Sequence, residues 1–113
     1  MSRTTDDDMK RLRRYLDSIL DQFRFERVLL FGSRARGVSG EASDFDLAFF
    51  IRDYSYWRAH DLGVHLLLAS RGFGLDIEPH IYPVEALTDD SHLFVQQEIL
   101  PHAVVLYPES AAA

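Results

Sequence analysis

With 113 residues, 47% of them hydrophobic and 27% charged, the chain has the composition of a folded globular domain rather than a disordered one. It contains no cysteine, which excludes a disulfide scaffold, a thiol nucleophile and a cysteine-ligated zinc site. A formal charge of −6 argues against broad nucleic-acid binding, and no apolar run approaches the roughly 20 residues that span a bilayer, so a cytoplasmic protein without a membrane partner is expected.

From Asp6 to Phe23, the apolar residues Met9, Leu12, Leu16, Ile19, Leu20 and Phe23 recur at steps of three and four, which predicts an amphipathic helix. Thr5, followed three residues later by Asp8, resembles an N-cap arrangement. Lys10, Arg11, Arg13 and Arg14 read as the solvated basic face of this helix rather than as a nucleic-acid site. The run Arg27-Val28-Leu29-Leu30-Phe31, stopped by Gly32, predicts a buried strand, and a short helix opens at Ser33.

Val38 to Ser43 reads as a loop, and Asp44 to Ile51 as a second strand with Asp44, Asp46 and Ala48 on one face. Tyr54 to Arg71 predicts a second long helix, with Trp57, Val64, Leu67 and Leu68 as its recurrent apolar positions and Gly72 and Gly74 as its stop. Tyr54, Tyr56 and Trp57 are read as anchors of this helix on the sheet in preference to base-stacking groups.

Leu75 to Tyr82 alternates, with Asp76, Glu78 and His80 on one side, and Pro79 and Pro83 mark it as an edge strand. A short helix over His92 to Leu100 and an apolar segment from Ala103 to Tyr107 complete the chain. No internal repeat or linker is visible, which gives one domain over 1–113.

Chemistry concentrates in two short segments. A Gly32-Ser33 turn between a strand and a helix offers backbone N–H groups to phosphate oxygens, with the Ser33 hydroxyl and the Arg34 and Arg36 charges close by in sequence. Asp44 and Asp46, two apart on a strand, put both carboxylates on one face, where hard cations with oxygen preference can be shared. Each segment alone is a weak signal; Gly-Ser, ten residues, then Asp-Phe-Asp-Leu entering an apolar strand is a specific one.

That combination resembles the DNA polymerase β-type nucleotidyltransferases, and Phe31-Gly32-Ser33-Arg34-Ala35-Arg36-Gly37 with Ser43-Asp44-Phe45-Asp46-Leu47 is most similar to the minimal nucleotidyltransferase branch. The resemblance implies an α/β (α+β) fold, a mixed β-sheet flanked by helices, with a catalytic core at about 27–83. It implies two Mg2+ ions on Asp44 and Asp46, ATP as substrate, and a third carboxylate from a later strand that binds metal or takes the acceptor proton. Glu78 is preferred for that third place and Asp76 is the alternative.

His80 is the one histidine expected near the site and reads as a surface residue in preference to a carboxylate-orienting one. The absence of a Gly-x-Ser-x-Gly elbow and of a Gly-Lys-Ser/Thr loop excludes Ser33 as a covalent nucleophile and a P-loop as the nucleotide site.

The expected activity is adenylyl transfer from ATP to a hydroxyl. Because the chain ends soon after the catalytic sheet, the acceptor is expected on a separate protein. By family resemblance that protein is a helical HEPN-type toxin, adenylylated on a tyrosine and thereby neutralised, in a hetero-oligomer with this chain as antitoxin. The competing readings are a non-catalytic antitoxin of the same fold and a small-molecule adenylyltransferase acting on an aminoglycoside-like hydroxyl.

Overall fold

The computed structural model describes residues 6–36 and 44–109. The Thr5 cap and the Val38 to Ser43 loop lie outside the described residues. The first helix, α1, runs Asp6–Gln22 and buries Leu12, Leu16 and Ile19 of the apolar face predicted from its spacing, together with Tyr15. The strand β1, Arg27–Phe31, leads directly into the short helix α2, Gly32–Arg36. Next come β2, Phe45–Ile51, and α3, Tyr56–Arg71, whose first turn is capped by the Ser55 hydroxyl accepting from the Arg58 backbone N–H at 3.2 Å. Strand β3, Ile77–Pro83, follows. A 3-10 turn at Val84–Leu87, a wide π-type helix at Phe94–Ile99 and a 3-10 turn at Leu100–His102 lead to β4, Val104–Tyr107.

The four strands lie in the order β3-β2-β1-β4, with β2 and β3 parallel and the other two pairs antiparallel. This is the mixed sheet flanked by helices that the sequence implies. The parallel pair needs a crossover connection, and α3 supplies it. β3 is an edge strand, so the missing N–H groups of Pro79 and Pro83 are tolerated there.

Strand alternation divides the core. On one face Val28, Leu30, Phe45, Leu47, Phe49, Ile51 and Ile77 meet α1 and α3. There the Tyr15 hydroxyl donates to the Leu66 carbonyl at 2.7 Å and ties α1 to α3. On the other face Leu29, Phe31, Ala48 and Phe50 are covered by Ala86, Val95 and Ile99 from the 84–102 segment. Asp46, half-buried, and Glu78, exposed, stand near the end of the strands on this same face.

Two expectations about α3 are corrected. Its buried residues are Ala59, Leu62, Leu66 and Ser70, whereas Trp57, Val64, Leu67 and Leu68 are exposed. Tyr54, Tyr56 and Trp57 do not anchor the helix: they are 42%, 69% and 76% exposed. The helix carries apolar residues on more than one side, so apolar spacing alone did not fix which row turns inward. The basic run on α1 is only partly a solvated face, because the Arg13 guanidinium donates to the Leu106 carbonyl at 3.1 Å and meets Glu109 at 3.2 Å.

Candidate active site

Register builds the site. Phe31, the last residue of β1, pairs with Asp46 on β2, and Asp46 pairs with Glu78 on β3. In-register neighbours on adjacent strands point to the same face, so the two carboxylates stand side by side, with His80 one step further along that face and Ala48 opposite it. The His80 Nε2 atom is 3.7 Å from Asp46 Oδ1 and 3.7 Å from Glu78 Oε1. One donor atom from each of Asp46, Glu78 and His80 lies within 4.8 Å of the other two.

Gly32 closes the site from the β1 side. Its φ of +76° is left-handed, and a Cβ on it would overlap the Asp46 carboxylate, with the Asp46 Cγ only 3.2 Å away. The glycine therefore serves both the turn into α2 and the close approach of Asp46. Ser33 follows it as the second residue of α2 and is half-buried.

Electrostatics mark Asp46 as the perturbed group. Burial raises its carboxyl above the ordinary range, the Glu78 charge raises it further, and His80 partly offsets both. Asp46 is half-buried and Glu78 exposed, so the like-charge cost falls mainly on Asp46, and a cation shared by the two would relieve it. The donor set fits a divalent ion: two carboxylate oxygens and a buried imidazole nitrogen without a hydrogen-bond partner among the described residues.

The remaining sequence-derived residues are placed as follows. Asp44 is exposed, immediately before β2, and falls outside the three-residue donor group. Asp76 is exposed just before β3, and its backbone carbonyl accepts from the Phe45 N–H at 2.9 Å. Arg34 points away from the carboxylates. Its guanidinium donates to Asp8 of α1 at 3.4 Å and sits over the Phe45 ring at 4.3 Å, on the α1 side of the sheet. These contacts tie α2 to α1 and β2. The Arg36 side chain lies outside the described part of the structure.

His80 corrects the surface reading. Its side chain is 28% exposed, and its ring packs edge-on against Phe31 with centroids 5.0 Å apart. The half-exposed Phe94 stands next to the same Phe31 ring, at 6.2 Å, and continues an aromatic wall beside the site. Alternation in β3 already put His80 on the Glu78 face. The missing information was the parallel register that brings β3 beside Asp46.

The family model described as a nucleotidyltransferase domain matches residues 9–110, and the chain belongs to that family. This bears out the resemblance drawn from the Gly-Ser to Asp-x-Asp spacing. Among solved structures, the chain is similar to a Sulfolobus solfataricus protein described as a candidate nucleotidyltransferase. The TM-score is 0.57 and the identity 18%, over 86% of this chain and 77% of that one, which shows a shared fold. No curated protein matches the sequence.

Proposed function

We propose that the chain transfers AMP from ATP to a hydroxyl on a partner protein, a tyrosine of a HEPN-type helical toxin, and so acts as its antitoxin in the cytoplasm. The observation that supports this reading most is the in-register Asp46–Glu78 pair set against the Gly32 turn. Asp46 and Glu78, with Asp44 contributing from the start of β2, would hold divalent ions, which would neutralise phosphate charge and make the acceptor oxygen easier to ionise. Two Mg2+ ions are what the family resemblance implies for this site.

The chain's own residues have distinct parts. Gly32 keeps the phosphate approach open and holds Asp46 in place, and Ser33 donates to a phosphate oxygen. The acceptor oxygen bonds to the α-phosphorus as the bond to the β-phosphate oxygen breaks. Pyrophosphate leaves, and the acceptor proton passes to Glu78.

A protein partner is supported by α3, which exposes Tyr56, Trp57, Val64, Leu67 and Leu68 on the side turned from the sheet. Large apolar side chains left exposed along one helix suit a protein-docking face. A partner seated there leaves the carboxylate face uncovered. The same stripe favours a second reading, in which contact alone neutralises the partner.

Parallel reactions with ATP labelled at the α- or the γ-phosphate, Mg2+ and the HEPN-type partner separate the two readings. Transfer of the α label alone is the expected result. Transfer of the γ label would make the chain a kinase, and a tight complex with no label transferred would favour neutralisation by contact.

A further inference from the structure

We propose that His80 is a direct ligand of the ion held by Asp46 and Glu78, so that the site prefers a transition-metal ion over Mg2+. The inference rests on the reading of Asp46 and Glu78 as metal ligands and adds a nitrogen donor to them. Nε2 is buried and has no hydrogen-bond partner among the described residues. At 3.7 Å from each carboxylate it stands beyond hydrogen-bond reach of both.

That spacing has a simple meaning. Donors bound at about 2.0–2.2 Å to one cation stand roughly 3 Å apart when adjacent and roughly 4 Å apart when opposite, so 3.7 Å separates atoms able to share an ion.

The ring is held for this task. Phe31 packs against its edge at 5.0 Å, and the residue opposite His80 on β2 is Ala48, too small to fill the space toward Asp46. A surface histidine would turn its nitrogens to water, whereas here Nε2 is aimed between two acids. Mg2+ favours oxygen ligands and keeps its waters, while imidazole favours the later first-row ions in the order Mn2+, Fe2+, Co2+. One nitrogen among carboxylates therefore moves selectivity away from Mg2+ without abolishing its binding.

The test uses Mn2+, Co2+ and Mg2+ as probes. Electron spin echo spectroscopy of the Mn2+-loaded wild-type chain should show modulation from a directly bound imidazole nitrogen, and this signal should vanish in His80→Phe, which keeps an aromatic ring against Phe31. By calorimetry, His80→Phe should weaken Co2+ at least about 10-fold, the loss already typical of an outer-shell partner, and Mg2+ by less than about 3-fold. Mn2+ bound with no nitrogen modulation, or equal losses for Co2+ and Mg2+, would overturn the His80 ligand and leave the carboxylate site standing. No binding of any of the three ions would overturn that site and this inference together. The spectrum of the wild-type protein decides the matter even if the variant fails to fold.

Discussion

Replacing Gly32 by alanine tests whether one residue links the backbone turn to the carboxylate site. At φ +76° a non-glycine residue costs about 1–2 kcal/mol. The added methyl also overlaps the Asp46 carboxylate, so that side chain must swing away from Glu78 and His80. For a chain of this length 1 kcal/mol corresponds to about 4 °C, so the conformational cost alone lowers Tm by about 4–8 °C. Displacing a reacting group by about 1 Å costs on the order of 100-fold in rate. Divalent-ion binding should fall at least about 10-fold with it, as it does when a ligand loses a supporting partner. Gly63→Ala is the internal control: Gly63 lies within α3 with nothing near its Cβ position, and the change should stabilise by about 0.5–1 kcal/mol. Thermal denaturation and metal calorimetry read both variants. A Gly32→Ala protein with lowered Tm but wild-type metal affinity would show that the glycine serves the turn alone and would refute the link to Asp46.

Tyr15→Phe removes the hydroxyl that bonds the Leu66 carbonyl and should cost about 1–1.5 kcal/mol, a drop of about 4–6 °C in Tm, with metal affinity unchanged because this contact lies on the opposite face of the sheet. Asp46→Asn should raise Tm at pH 7 when metal is chelated. The raised Asp46 carboxyl gives stability in its protonated form below the ordinary aspartate value of about 3.9, and this is lost as pH rises through the folded value. Asparagine never carries that charge, so the advantage should close as pH falls toward 4, and a lower Tm for the variant at pH 7 would contradict the sign. Trp57→Lys, at a residue 76% exposed, should leave Tm within a few degrees and abolish complex formation with the HEPN-type partner, read by size-exclusion chromatography.

The parts of the fold that the sequence makes legible are those set by local pattern. β1 and β2 are apolar runs with sharp ends, and α1 has one unambiguous apolar face. The Gly32 to Asp46 relation was legible because β1 and β2 are neighbours that pair antiparallel through Phe31 and Asp46. The setting of His80 was not legible because Asp46 reaches it from β2, a distant stretch of chain, through a parallel register that no local pattern encodes. The face of α3 was misread for a different reason. α3 carries apolar residues on more than one side, and periodicity alone does not say that the Ala59, Leu62, Leu66, Ser70 row turns inward while Trp57 and Leu68 stay exposed. Arg34 illustrates a third limit: adjacency to Gly32 in sequence says nothing about which side of the sheet its long side chain takes, and Asp8 with Phe45 draws it to the α1 side.

Calorimetric titration of ATP into the wild-type chain, with a divalent ion and then with chelator, tests the nucleotide site most directly. Asp46→Ala should be run alongside. The account predicts that the ion tightens ATP binding at least about 10-fold in the wild type and has no such effect without the Asp46 carboxylate. ATP binding that is equally tight with chelator, or equally metal-dependent in Asp46→Ala, would contradict it.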